Sequence, residues 1–313
     1  MNEWMTLFAI YLALFLFGMT VMRHGLLIRF KGVVPSLLMK FVNKPWKGLL
    51  LGTIAATFLQ SSSAVMVITV GFVSVGLLPF YYSIGIMLGA NIGTVTTLEI
   101  LAFDLSSFIL PLLALGIILL FSKKETGFSF GCFFFGLSMM ITAMTGFESL
   151  AYHLSSIPSV YDWFIYTSER TGTGIIIGTI LSAIVQSSSA VTAMAMSFMG
   201  ENLLTIKTSI AIMLGANIGT CVTAWIASIG GSPEAKYTAY AHIWLNILGV
   251  FFILPFIGIF TALIVLTSDI PSQQLAHAAF LFNTICSLVL LPFSRPFANL
   301  IIKIHGGEPS FKP

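Results

Sequence analysis

Long apolar segments alternate with short polar ones along most of the chain. Apolar runs close to the roughly 20 residues that a helix needs to span a bilayer lie at 4–22, 107–122, 127–145, 237–267 and 273–292. Between these runs, further apolar segments are broken by Gly, Ser, Asn and Thr rather than by charges. The pattern predicts an all-α polytopic membrane protein.

The most polar breaks come as two nearly identical pairs. LQSSSAV at 59–65 returns as VQSSSAV at 185–191, and GANIGT at 89–94 returns at 215–220. The second copy starts 126 residues after the first, and roughly half of the positions between 48 and 97 are identical to their partners. A weaker match pairs FLFGMTVM at 15–22 with FFFGLSMM at 133–140. We therefore expect two repeated units at 1–124 and 125–267, followed by a final helix and a short tail at 268–313.

Charge orients the two units. If each QSSS cluster is the tip of a re-entrant hairpin, all of the 14 Lys and Arg except Arg170 and Lys207 fall on one side of the membrane. The positive-inside rule makes that side cytoplasmic. The protein is then expected in the cell membrane with its N-terminus outside the cell and its C-terminus in the cytoplasm. The runs at 4–22 and 127–145 then cross in opposite directions. Such inverted-topology repeats with discontinuous helices are typical of secondary transporters, which bind substrate near the midplane.

Composition agrees with a lipid-embedded chain. Hydrophobic residues make up 57% and charged residues 8%, against about a quarter charged in soluble domains. The basic residues concentrate in one predicted cytoplasmic loop from Arg23 to Lys47, which indicates no nucleic-acid partner. Cys132, Cys221 and Cys286 stand singly in apolar segments, so we expect neither a disulfide framework nor a zinc site, and no bound cofactor.

The QSSS clusters have the chemistry of a half-helix start. Ser is a good N-cap, and a helix N-terminus binds anions through its amides and its dipole. GANIGT predicts a second break, because Gly and Asn accept left-handed conformations, and Thr94 or Thr220 is placed to cap the next helix. Hydroxyl, amide and carbonyl oxygens there also suit sodium. Since Lys207 is the only Lys or Arg in these stretches, sodium would supply the positive charge. The alternative is that the serines only pack helices together.

The doubled QSSS and GANIGT motifs resemble the type II sodium/phosphate cotransporter family. FLFGM at 15–19 and AHIWLN at 241–246 are also similar to family elements, so the resemblance covers nearly the whole chain. It implies two inverted repeats with re-entrant hairpins, and sodium-driven movement of inorganic phosphate. It also implies that both QSSS segments line the substrate and sodium sites. The final helix spaces His277 and its Asn differently from AHIWLN, so no role is carried onto His277.

Three sets of candidate residues follow from the motifs and the resemblance. For phosphate we expect Gln60, Ser61, Ser62, Ser63, Gln186, Ser187, Ser188, Ser189, Asn91 and Asn217. For sodium we expect Gln60, Ser63, Thr94, Thr97, Gln186, Ser189, Thr220 and Thr223. Weaker candidates are Glu99, an acid inside a predicted span, and His242 with Asn246, which share one helical face.

Several functions fit the motifs to different degrees. The leading hypothesis is a sodium-coupled phosphate transporter, not an enzyme, whose other partner is the lipid bilayer and which is a possible homodimer. The same motifs also fit three alternatives: an exporter, a carrier of another oxyanion and a proton-coupled carrier. A channel or sensor would not need paired discontinuous helices. An intramembrane hydrolase would need a base beside its serine, and neither cluster contains His or Lys.

Overall fold

A computed structural model describes residues 2–30, 32–157 and 170–306, and the predicted tail beyond Gly306 lies outside these ranges. Their regular structure is helical. The first predicted unit contains α1 (Asn2–Phe30), α2 (Val33–Phe41), α3 (Pro45–Leu59), α4 (Ser62–Ser74), α5 (Phe80–Thr94), α6 (Thr96–Leu101) and α7 (Ile109–Leu120).

The helices of the second predicted unit are α8 (Glu125–Ser155), α9 (Thr171–Val185), α10 (Ser188–Gly200), α11 (Ile206–Gly219), α12 (Val222–Ala227), α13 (Pro233–Ile253) and α14 (Ile257–Val265). Of these, α9 to α12 follow the order and nearly the lengths of α3 to α6, and the unit is followed by the last long helix. The final segment contains α15 (Pro271–Leu290) and α16 (Ser294–Ile304). Short 3₁₀ turns at Leu254–Phe256 and Leu291–Phe293 bend these last segments.

Within the described ranges, six helical segments are long and apolar enough to cross a membrane. They are Glu3–Phe30, Phe80–Leu101, Glu125–Ser155, Ile206–Ala227, Pro233–Val265 and Pro271–Ile304. Apolar helices that are shorter lie at Ser62–Ser74, Ser106–Leu120 and Thr171–Val185. The prediction of an all-helical, polytopic membrane protein is confirmed in these terms.

Each QSSS cluster lies at the turn of a helical hairpin. In the first unit, α3 and α5 pack side by side in parallel, because Gly85 contacts Pro45 and Gly93 contacts Thr57. The helix between them, α4, must therefore return the chain to the end at which α3 began. In the second unit α9 and α11 are likewise parallel, with Gly174 near Ala211 and Gly219 near Ser182.

The first helices of the two units pack against each other in opposite directions. Trp4 near the start of α1 lies beside His153 near the end of α8, with ring centroids 5.4 Å apart. Towards the other end, a Cβ placed on Gly18 would lie 2.8 Å from the Met139 Cβ. An inverted repeat requires this orientation of the two helices, although the inverted topology with respect to the membrane stays a prediction.

Two boundaries differ from the sequence expectation. The first span does not end before Arg23, because α1 continues to Phe30. The chain also stays helical through the first GANIGT segment and as far as Gly219 in the second, and the turns lie at Val95 and at Thr220 with Cys221. Their glycines face neighbouring backbone, since a Cβ on Gly89 would lie 2.6 Å from the Thr53 nitrogen. Close packing, rather than a left-handed conformation, explains these residues.

Candidate functional site

The two hairpin turns have the same local structure. We call Gln60 with Ser61 the first tip, and Gln186 with Ser187 the second tip. Both glutamines adopt a left-handed backbone, with φ of 51° and 55°. Ser61 accepts a hydrogen bond from the Ala64 amide at 3.1 Å, and Ser187 accepts one from the Ala190 amide at 3.3 Å. The prediction that the serines start a second half-helix is confirmed.

A small polar pocket lies between the two hairpins, and we call it the central pocket. Ser62 and Ser188, the first residues of α4 and α10, both line it, so two helix N-termini meet there. Such N-termini carry partial positive charge and exposed amides, which favour an anion. The full lining is Ser62, Asn91, Thr94, Val95, Leu98, Ser188, Ser189, Thr192, Met213, Asn217, Ala279 and Asn283.

The central pocket is narrow in this structure. Its volume is about 20 Å³, which is room for roughly one water molecule. Its lining contains hydroxyl and amide groups but no charged side chain. The space is smaller than a phosphate ion, and the polar groups that face it are neutral.

Six of the predicted residues line this pocket, and the others do not. Ser63 is turned towards Thr220, with the two hydroxyl oxygens 3.5 Å apart. Thr94 lines the pocket, but its hydroxyl donates to the Ala90 carbonyl at 2.8 Å instead of capping α6. Thr220 does not cap α12 either, so the predicted capping role is wrong for both threonines.

The remaining predicted sodium residues differ between the units. Gln60 is buried, and its side-chain oxygen accepts a hydrogen bond from Thr97. Gln186 is exposed. The hydroxyl oxygen of Thr223, the repeat partner of Thr97, is buried and has no hydrogen-bond partner in the described part of the chain.

A buried polar cluster adjoins the central pocket through Asn91. The Asn91 side-chain oxygen lies 3.3 Å from His242 Nε2, and its amide donates to the Asn246 oxygen at 3.4 Å. Because an amide oxygen only accepts, this contact requires His242 to carry its proton on Nε2. His242 and Asn246 are 1% and 3% exposed. They position Asn91 and do not line the pocket.

Glu99 lies apart from the pocket. Its carboxylate is 3.8 Å from His277 Nε2, and the other ring nitrogen of His277 is 2.8 Å from the Thr267 hydroxyl. About one third of each of the Glu99 and His277 side chains is exposed. The pair joins α6 to α15.

Three polar residues near the site carry no sequence signal that identifies them. Asn283 and Thr192 line the central pocket, but Asn283 lies outside the duplicated stretch, and the repeat partner of Thr192 is Met66. The charge pattern predicts Arg23 in a cytoplasmic loop. Instead Arg23 lies about two turns before the end of α1, and its Nε donates to the Gln60 carbonyl at 3.0 Å.

A larger cavity of about 450 Å³ opens one helical turn beyond the central pocket, and we call it the antechamber. Leu98 lines the central pocket, while Leu101 lines the antechamber together with Asp104 and Glu148. Hydrogen bonds from Ser106 keep the pKa of Asp104 below its ordinary value, so this carboxylate is charged at neutral pH. The charge of Asp104 favours cations over anions in this cavity.

Comparisons with known proteins agree with the motifs. The family model described as Na+/Pi-cotransporter matches residues 14–149 and 158–289. YqeW of Bacillus subtilis (strain 168), an uncharacterized protein, is 35% identical over 294 residues, which are 94% of this chain and 96% of YqeW. No solved structure shows a significant match.

Two further relatives have names that state a substrate. YjbB of Escherichia coli (strain K12), proposed as an inorganic phosphate export protein, is 24% identical over 95% of this chain, which spans 55% of YjbB. The human sodium-dependent phosphate transport protein 2B is 26% identical over 206 residues, or 58% of this chain and 28% of that protein.

Proposed function

Because the chain belongs to the Na+/Pi-cotransporter family, whose members are phosphate transporters and not enzymes, we propose that it couples sodium to phosphate movement by alternating access. One observation carries the proposal beyond the family. The N-termini of two half-helices meet in a pocket lined by Ser62, Ser188 and Ser189, which is an arrangement that attracts a small anion.

The phosphate is proposed to bind in the central pocket. Ser62, Ser188 and Ser189 would donate hydroxyl and helix-terminal amide hydrogens, and Asn91 and Asn217 would donate their side-chain amides. All five residues line the pocket, and each is a hydrogen-bond donor at neutral pH. The helix dipoles supply part of the attraction, and bound cations supply the rest, since no charged side chain lines the pocket.

Sodium is proposed to bind at the hairpin tips and the helices packed against them. Gln60, Ser63, Thr94, Thr97, Gln186, Ser189, Thr220 and Thr223 remain the candidate ligands. Helix C-terminal carbonyls and hydroxyl oxygens of this kind coordinate sodium at discontinuous helices. Coupling then has an electrostatic origin, because an anion binds more tightly in this pocket when cations are bound beside it.

The proposed alternating-access cycle depends on the opposite orientation of the two repeated units in the membrane. Units 1–124 and 125–267 are proposed to enter the cell membrane from opposite faces, with the N-terminus outside and the C-terminus cytoplasmic. The antiparallel packing of α1 against α8 supports this orientation. A homodimer is compatible with the proposal but is not needed by it, since each chain contains both hairpins.

Export is the second candidate direction. The basis is the name of YjbB, which aligns with 95% of this chain. Import and export would use the same pocket and differ in the gradients and in the relative stability of the two access states.

Radiolabelled phosphate flux into proteoliposomes tests the proposal. An imposed sodium gradient should accelerate flux, whereas a proton gradient of the same size should not. Acceleration by protons alone would identify a proton-coupled carrier, and exchange that ignores both gradients would refute coupling. Arsenate should compete with phosphate better than sulfate does, because its size and charge are closer to those of phosphate.

A further inference from the structure

The first tip holds a cationic side chain at the end of a half-helix. The last carbonyl groups of a helix have no partner within the helix and carry partial negative charge. At the end of α3 the Gln60 carbonyl accepts its hydrogen bond from Arg23. Ser62, only two residues further on, lines the central pocket. A fixed positive charge is therefore hydrogen-bonded two residues along the chain from a residue of the central pocket.

Arg23 has no acidic partner that would explain its position. In residues 2–30, 32–157 and 170–306, no carboxylate lies within ion-pair distance of its guanidinium. Its Nε donates a hydrogen bond to the Gln60 carbonyl, and its side chain is half-buried against the protein. The helix end itself is thus the group that offsets its charge.

Among the residues that the structure describes, no Lys or Arg donates a hydrogen bond to the second tip. The weaker repeat match places Ile141 opposite Arg23, and Ile141 is buried. Within the described chain, no side chain donates a hydrogen bond to the Gln186 carbonyl or to the Gln186 side-chain oxygen. The Thr223 hydroxyl is buried without a partner. These oxygens are of the kind that sodium prefers.

A guanidinium and a sodium ion compete for the same carbonyl end of a half-helix. Both are cations attracted by the partial negative charge there, but the guanidinium is part of the chain and does not dissociate. Arginine also stays protonated at all physiological pH values. The first tip therefore always has its cation, whereas the second tip gains one only by binding it.

We propose that Arg23 is a tethered cation that takes the place of a coupling sodium ion at the first tip, so that sodium binds at the second tip. The inference rests on the proposed sodium-coupled function and narrows it. Gln60 and Thr97 then bind each other rather than an ion. Their repeat partners Gln186 and Thr223 remain available as sodium ligands.

The number of sodium ions moved per phosphate tests this inference. Radiolabelled sodium and phosphate uptake are measured in the same proteoliposomes for the wild type, Arg23→Ala, Arg23→Lys and Arg29→Ala. Arg23→Ala removes the fixed charge and leaves room for an ion, so the ratio should rise by about one sodium per phosphate. Arg23→Lys keeps the charge and should keep the wild-type ratio. Arg29 is exposed on the same helix, so Arg29→Ala is the matched control.

Slower transport by Arg23→Ala at an unchanged ratio would overturn the inference and leave Arg23 a structural contact between α1 and the hairpin. Absence of sodium dependence in the wild type would instead refute the proposed function. If Arg23→Ala does not fold, Thr223→Val and Thr97→Val provide the second measurement. The sodium concentration for half-maximal flux should rise more in Thr223→Val. Equal shifts, or a larger shift in Thr97→Val, would overturn the inference.

Discussion

The two hairpin tips have the same sequence and backbone but different surroundings. At the first tip the Gln60 amide donates to the Thr57 carbonyl at 2.6 Å, and its oxygen accepts from Thr97. At the second tip the Gln186 side chain is exposed. Both glutamines have nearly equal φ angles, so the local motif sets the turn.

Helix α1 adds a second difference between the tips. Arg23 of α1 reaches the first tip, while Met19, one turn earlier on the same helix, touches the Ser187 hydroxyl with its sulfur at 3.5 Å. The same helix therefore contacts one tip with a cation and the other with a thioether. The two copies of the motif therefore have different chemical surroundings although their sequences agree.

Substitution of the pocket serines should have the largest effect. Ser189 lines the central pocket, whereas its repeat partner Ser63 pairs with Thr220. Ser189→Ala should reduce phosphate flux about 10- to 100-fold, the value of one hydrogen bond to a charged group. Ser63→Ala should reduce it less. Radiolabelled phosphate uptake, measured at matched expression of the two variants, tests this difference. Equal losses of flux would show that both hairpins contribute equally to phosphate binding.

Chemical labelling should distinguish the tips directly. In a variant without native cysteines, Gln186→Cys should react with a membrane-impermeant thiol reagent about tenfold faster than Gln60→Cys, because only the exposed thiol is accessible. The native cysteines are removed because Cys286 is only half-buried and would react as well. Equal labelling rates would mean that the closed first tip opens as readily as the second.

Thermal unfolding in detergent should show the same asymmetry. Thr97→Val leaves the buried Gln60 oxygen without its donor and should lower the free energy of unfolding by about 1–3 kcal/mol. In sodium-free buffer, Thr223→Val removes a hydroxyl that has no hydrogen-bond partner among the described residues, so it should be neutral or stabilising. A large loss in Thr223→Val would reveal a structural role for that hydroxyl.

The acids of the antechamber should have the smallest effect. Since its lowered pKa keeps Asp104 charged at neutral pH, Asp104→Asn should raise the sodium concentration for half-maximal flux about twofold at low ionic strength. The effect should fade in high salt, where surface charges are screened. Asp269 is exposed and does not line the cavity, so Asp269→Asn is the control.

Sequence patterns located the hairpin turns because capping is a local property. Ser61 and Ser187 cap the half-helices through an amide three residues away. The second break lies at the end of each GANIGT segment rather than within it, because Gly89 and Gly215 serve contacts with distant backbone, which local propensity does not include. The side chain of Arg23 reaches the first tip only through packing between helices, so no spacing rule indicates it.

The glycine contacts also limit how the molecule can move. Gly89 lies against the backbone at Leu49 and Thr53, and Gly215 lies against the backbone at Ile175. Backbones this close cannot slide past each other without collision. Helices α3 and α5 should therefore move together as one rigid body, and α9 and α11 as another, so that opening occurs between the two bodies. The contact between Ser63 and Thr220 joins the first unit to the second across this boundary.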